Sequence, residues 1–525
     1  MTEAPCEPGA GPRHAAGFAA LAGLAGLGVF FWALAGGRLL LYGDATAHLA
    51  IARRIVDSAT PGLSQWGTVW LPLPHLLMAL LVWNLAWWRT GIAGSFPSLA
   101  ALVVATWLLH RIVRRQWGLT AAAWAAASFC LNPSLLYLAA VPMTETIYLA
   151  AFLGLADQCG SYAAQPRAAA AWRAGLWALA ATLCRYDGWF ALPFALAALV
   201  AASGGIRRAW AATWRFCGVA GLGPAFWLGY NWYYFKDPLA FALGPYSARQ
   251  IYLNALRQGG VRYPGDHALA TAALYYLKTV TLTCGLPLMI LALLGLLAWR
   301  QWQRYAVAWL LLLPLPWYLW AMWSGNVPIF VPEYWPHGYY NLRYGVQLLP
   351  AVALFSGLAV AALLRGVGRL TLPRTWRHAR AGVAAGLAVL AAGAYAQMLR
   401  TPGPPAYAEA VHNAPGRLAM EHALARALSS ARTRDRILMY YGTYPGALAD
   451  AGIPLRRVVQ ESNYLLWQAA LRSPHLHVDW VVTEAGGAVD RLVNRNDLSR
   501  YFEPRATLTV ADQPEIMVYR RREAP

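Results

Sequence analysis

Eleven stretches of this chain carry no charged side chain, and that feature narrows its fold more than any other. They lie at residues 16–37, 95–109, 119–144, 146–156, 174–184, 188–206, 216–235, 279–299, 305–332, 344–364 and 381–399. A helix crosses the hydrocarbon core of a bilayer with roughly 20 apolar residues. The runs at 146–156 and 174–184 are short and reach that length only with flanking residues. The expectation is a polytopic α-helical membrane protein with about 11 transmembrane helices.

Composition agrees and removes several alternatives. Of 525 residues 58% are hydrophobic and 13% charged, where a soluble domain averages about a quarter charged. A water-soluble enzyme is therefore excluded, as are disordered and collagen-like chains. The net charge of +20 comes from 43 basic residues, among which Lys236 and Lys278 are the only lysines. Such a balance could serve nucleic acid, but its placement argues otherwise and no nucleic-acid partner is expected. The loops at 111–115, 167–173, 207–215, 300–304 and 365–380 hold fifteen arginines and no acid. Every second loop is basic, as cytoplasmic loops are. The alternate loops hold Asp44, Asp57, Glu145, Asp187, Asp237, Asp266 and Glu333, which places the acids outside. Residues 58–88 are uncharged too, but Pro72, Pro74 and five tryptophans between 66 and 88 suit interfacial helices. Residues 43–94 are thus expected to form one long outer loop. The first run is read as an anchored helix rather than a cleaved signal. Six scattered cysteines suggest neither a disulfide framework nor a zinc site.

After residue 400 the character changes. Residues 400–525 hold sixteen arginines and thirteen acids. Strand-like runs occur at 436–441, 456–459, 478–482 and 516–519, with helix-like segments at 416–431 and 463–472 between them. Residues 1–400 are therefore expected to form a transmembrane domain and 401–525 a small α/β domain, on the outer side after eleven crossings. A docking or lid role without chemistry of its own is the simplest reading of the latter.

The residues with chemical potential cluster in the outer loops. Asp44 and His48 follow the first run in Leu41-Tyr-Gly-Asp-Ala-Thr-Ala-His48, four apart and so on one helical face; Asp44 as a helix cap is the alternative. Glu145 stands alone in the short loop Val141-Pro-Met-Thr-Glu-Thr146, where it either starts the next helix or acts at the surface. Arg185 and Asp187 in Cys184-Arg-Tyr-Asp-Gly-Trp189 could pair with each other. The loop 331–344 offers Glu333, His337 and Arg343. Arg343 could grip a phosphate with its planar fork or snorkel to lipid headgroups.

Several of these features together resemble the GT-C glycosyltransferases. They are Tyr42-Gly-Asp44 after the first span, a Trp/Pro-rich stretch reaching Leu71-Pro-Leu-Pro-His75, Glu145 in the second loop, Arg343-Tyr344 opening a late span, and an outer C-terminal domain. The likeness is greatest to the protein mannosyltransferase and aminoarabinose transferase branch. It implies a polyprenyl-phosphate-linked sugar as donor, a catalytic Asp44 and an accessory acid at Glu145. Where protein mannosyltransferases carry Asp-Glu in the first loop, this chain has Asp44-Ala45, which argues against a protein acceptor. The implied reaction is an inverting transfer to an acceptor hydroxyl at the outer face of the cytoplasmic membrane. Asp44 would be the base and Arg343 the partner of the leaving phosphate, with His48, His75, Arg185, Glu333 and His337 as substrate-binding residues. Glu145, with Asp44, His48 or His75, could hold a divalent metal cation. A transporter or flippase of a lipid-linked substrate is the alternative, but its ionisable groups would be expected at mid-membrane.

Overall fold

The computed structural model describes residues 10–303, 305–369 and 378–522. Arg304 and residues 370–377 of the basic loop 365–380 lie outside them. The chain forms two compact units: Met1–Trp32, Ser98–Ala140 and Thr144–Glu409 make the first, and Ala33–Pro97, Val141–Met143 and Ala410–Pro525 the second.

The first unit is helical. Several uncharged runs form one continuous helix each, among them Ile92–Trp117, Glu145–Ala164, Ala168–Thr182 and Ala379–Met398. Others break where proline or glycine enters. The run 119–144 divides into Leu119–Cys130 and Pro133–Ala140 with a 57° bend, and Leu269–Cys284 turns by 113° into Leu286–Leu297. The second break falls at Gly285 with φ +90°, a conformation glycine reaches without strain. Among the described residues, five helices are long and apolar enough to cross a membrane, or seven if each bent pair counts as one span. Large apolar side chains such as Leu24, Trp210, Trp214 and Leu297 are exposed, as expected of surfaces that meet lipid rather than water. The helical stretch Leu342–Val367 is the opposite case: 89% of its apolar window is buried.

The second unit is built on a five-stranded sheet of order β2-β1-β3-β5-β4. Its strands are β1 (Ile437–Leu438), β2 (Val458–Val459), β3 (Trp480–Glu484), β4 (Phe502–Leu508) and β5 (Ile516–Arg521). β1 lies parallel to β2 and β3, while β5 is antiparallel to β3 and β4. Period-2 alternation sorts the side chains into two cores. Ile437, Val458, Trp480 and Val482 pack with Leu49, Met78 and Leu424, whereas Leu438, Val459 and Val481 pack with Trp467, Leu471 and Phe502. The stretch 43–94 supplies the short helices Gly43–Val56, Pro72–Ala79 and Leu85–Thr90. Of its five tryptophans, Trp66 and Trp88 are buried in this unit and Trp83 is exposed together with Leu80. The apolar weight of the stretch thus serves both a core and a surface.

Candidate active site

One cluster of buried charges in the first unit surrounds Arg343. The chain approaches this residue through Asn341, whose φ of +59° is a left-handed conformation that asparagine tolerates. That turn aims two successive amides at one carboxylate. The Asn341 N–H donates to Glu409 Oε1 at 3.0 Å, and the Arg343 N–H donates to Glu409 Oε2 at 3.1 Å. The Arg343 side chain then donates to Glu409 Oε1 at 2.7 Å and to Glu145 Oε1 at 3.2 Å. Gly345 lets this segment lie against helix Leu269–Cys284, since a Cβ there would come within 2.3 Å of Thr283 Oγ1.

A second arginine joins from the next loop. Arg185 Nη1 lies 3.6 Å from the same Glu145 oxygen, and its Nε lies 3.5 Å from Asp187 Oδ2. Its Nη2 donates to the Tyr318 hydroxyl at 3.0 Å, which in turn donates to Asp187 at 2.9 Å. The ring of Tyr344 is shared by the two guanidiniums, 4.9 Å from Arg185 and 5.0 Å from Arg343. Glu145 starts its helix, where the positive end of the helix dipole favours a carboxylate; its other oxygen, Oε2, is buried without a hydrogen-bond partner. Three carboxylates thus surround two guanidiniums.

Arg343 is only 7% exposed, so it does not snorkel to headgroups. Arg185 and Asp187 do pair, as the sequence suggests, but through a longer contact than those Arg343 makes. Glu333 instead pairs with Lys278 at 3.2 Å, and the exposed His337 ring takes the Pro332 carbonyl at 3.0 Å. Those two do not join the arginine cluster. Glu409, Tyr318 and Tyr344 do, and none of them is among the sequence candidates. Glu409 had one available signal: like Asp44 and Glu145, it is the first acid after an apolar run.

The second unit holds Asp44, His48 and His75. Asp44 is the second residue of helix Gly43–Val56, whose cap position belongs to Tyr42, and it stands in the first turn, where the helix dipole favours a carboxylate. One turn on, His48 Nδ1 lies 3.0 Å from Nε2 of His75, and the Trp70 ring lies 4.5 Å from that of His48. Burial pushes His75 well below the usual imidazole range, with His48 and then Arg54 adding to the effect. At least one ring of the pair must stay neutral to accept the hydrogen bond.

The expected cation site is not borne by these residues. Among the described residues no group of three or more His, Cys, Asp or Glu side chains gathers to hold a metal ion. Glu145 shares one oxygen between two arginines, and His48 and His75 face each other. No step is assigned to a metal.

No family model matches the chain, and no curated protein sequence does. Solved structures do. ArnT from Cupriavidus metallidurans bound to undecaprenyl phosphate covers 96% of this chain and 98% of its own, at TM-score 0.58 and 14% identity. The same protein in the apo state reaches 0.59 at 15% identity, with the same coverage of both chains. The Archaeoglobus fulgidus oligosaccharyltransferase in its apo form covers 93% of this chain and 72% of its own, at 0.50 and 12%.

The chain shares the fold of these structures. That fold agrees with the expectation of a polytopic helical membrane protein, with five to seven candidate spans among the described residues rather than eleven. Buried charges in an apolar helical body are costly unless paired and usually mark function.

Proposed function

We propose that this chain is an inverting glycosyltransferase that moves a sugar from a polyprenyl-phosphate donor to an acceptor hydroxyl at the outer face of the cytoplasmic membrane. The observation that carries the reading is the pair of guanidiniums, the buried Arg343 and the part-buried Arg185, held by carboxylates within about 5 Å of the Tyr344 ring. Such a pair suits a leaving phosphate, which needs planar donors already oriented when negative charge develops. Because the cluster holds three carboxylates, the phosphate enters by taking a guanidinium edge from one of them. Glu145, which shares a single oxygen between both arginines, is the natural one to yield.

Asp44 accepts the proton of the acceptor hydroxyl as that oxygen attacks the anomeric carbon. The carbon–oxygen bond to phosphate breaks, and its electron pair leaves with the phosphate. One displacement inverts the sugar carbon. If the chain crosses eleven times, as its uncharged runs lead one to expect, residues 401–525 lie outside, and a reporter fused after residue 410 tests this by its compartment. ArnT, crystallised with undecaprenyl phosphate, supports the choice of lipid class for the donor, and Asp44-Ala45 disfavours a protein acceptor. The decisive experiment incubates the purified protein with a panel of polyprenyl-phosphate sugars. Release or transfer of sugar, lost in Asp44→Asn, is expected. Movement of intact donor across a vesicle membrane without sugar release would mark a flippase instead.

A further inference from the structure

The helix that carries Asp44 is held at both ends by residues of the C-terminal segment. Ahead of it, residues 36–42 are not helical, so their carbonyls need partners from elsewhere. Arg417, on helix Pro415–Leu428, supplies them: Nη2 donates to the Leu40 carbonyl at 2.8 Å and to the Leu41 carbonyl at 3.0 Å. Its stem runs beside Gly43, where an added Cβ would sit 3.7 Å from Cδ and Nε. The guanidinium is itself fixed, because Nη1 meets Glu421 Oε2 at 2.6 Å while Glu421 Oε1 accepts the Gly446 N–H at 3.0 Å. Arg417 therefore grips the chain three residues before Asp44.

Beyond the helix, Asp57 closes the other end. It accepts two bonds from Arg53 at 2.9 and 2.7 Å, the Leu455 N–H at 3.2 Å and Arg456 Nη1 at 3.2 Å. Arg53 also reaches the Val82 carbonyl. The following turn is fastened in the same manner, with Gln65 donating to the Ser462 carbonyl at 2.9 Å and Asn463 donating to Thr60 Oγ1 at 2.8 Å.

We infer that the C-terminal α/β segment is a scaffold that sets the position of Asp44, with Arg417 and Asp57 as its two positioning residues. This rests on the reading of Asp44 as the base. A general base works only within hydrogen-bond reach of its proton, and misplacement by about 1 Å can cost on the order of 10²-fold in rate. An arginine that spans two backbone carbonyls and an aspartate that gathers four donors are means of preventing such drift.

The test combines hydrogen–deuterium exchange with kinetics on the full chain in nanodiscs, using Arg417→Ala, Arg417→Lys and Asp57→Asn. Arg417→Ala should raise exchange of amides 41–48 and lower kcat at least tenfold, with donor KM within twofold of wild type. Arg417→Lys, which can still reach one carbonyl, should recover part of both. Asp57→Asn should loosen residues 53–60 and give a smaller kcat loss. Unchanged exchange at 41–48 in Arg417→Ala overturns the clamp. Faster exchange with wild-type kcat, in a protein whose Asp44→Asn variant is dead, overturns the positioning role. If wild type itself transfers no sugar, the function fails separately and exchange alone still decides whether the clamp exists. Should Arg417→Ala not fold, Arg417→Lys and Asp57→Asn carry the same two readouts.

Discussion

The two units solve the problem of buried polarity in different ways. In the helical unit the backbone is largely satisfied within its helices, so a buried charge finds mainly another charge: Arg343 with Glu145 and Glu409, Arg185 with Asp187. The same holds further along helix Glu145–Ala164, where Asp157 meets Arg111 at 2.6 Å and Arg115 at 3.1 Å. In the α/β unit the loops leave backbone groups open, and side chains bond to them: Arg417 to two carbonyls, Gln65 to Ser462, Asp57 to the Leu455 amide. An apolar helical body thus concentrates charge into clusters, whereas a loop-rich body uses charge as fastening. The first arrangement suits a phosphate, and the second suits holding one aspartate still.

The largest expected effect tests whether the second unit contributes chemistry as well as fastening. Asp44→Asn should lower turnover by about 10²–10⁴ while changing stability by about 1 kcal/mol or less, since asparagine keeps size and a hydrogen-bonding oxygen. Turnover on donor sugar and thermal unfolding measure the two. More than a tenth of wild-type turnover would leave the α/β unit with fastening only.

The next effect sharpens the charge-cluster side. Glu409→Ala strips Arg343 of its shortest ion pair and two amides of their acceptor. Removing one partner of a buried pair costs about 3–5 kcal/mol. Glu333→Ala, which breaks a partly exposed pair with Lys278, should cost about 1 kcal/mol or less. Denaturant midpoints of the two variants should differ accordingly; equal midpoints would mean that the cluster is no better sheltered than the surface.

Which parts of this were legible in the sequence follows from the same contrast. Uncharged runs announce helices because a membrane permits little else, and the consecutive apolar residues Val458-Val459 and Trp480-Val-Val482 announce strands buried on both faces. β4 was not legible: the strand-like runs do not include it, since Glu503, Pro504 and Arg505 interrupt any apolar pattern, yet β4 is an edge strand with an irregular register at Pro504/Ala506, where proline is tolerated. Asp44, Glu145 and Arg343 stood out as lone charges beside apolar runs. Glu409 did not, because a boundary drawn at residue 400 by charge density assigned it to the following domain. The grouping of 33–97 with 410–525 was equally hidden, since it rests on contacts such as Asn463 to Thr60 that lie about 400 positions apart and carry no local pattern.

A third expectation concerns Arg343→Lys. Lysine keeps the charge but loses the fork that now meets Glu409 and Glu145 together. Donor affinity or turnover should fall at least tenfold, equivalent to about 1.4 kcal/mol. Wild-type affinity and rate would remove Arg343 from the site and leave Arg185 as the phosphate partner.

The smallest effect isolates the α/β unit by pH. His75 is fully buried and its pKa lies well below the usual 6.5, chiefly because burial disfavours the imidazolium. A folded-state pKa below the unfolded one means that the unfolded chain binds the extra proton first. Stability that this group contributes is therefore complete above pH 6.5 and declines as pH falls below it, by at most about 1.4 kcal/mol per pH unit for one histidine. Burial raises the pKa of Glu421, Glu461 and Glu484 in the same unit, and a raised carboxylate contributes in the opposite sense as pH falls, so the His75 contribution between pH 6.5 and 5 is read as the difference in slope between wild type and a His75 variant. Across that window the unfolding midpoint should drop more in wild type than in His75→Gln, which keeps a hydrogen-bonding side chain without the titration. An equal slope in wild type and His75→Gln would show that the His48–His75 contact carries no linked proton, and the acid sensitivity of the unit would then have to come from its other buried groups.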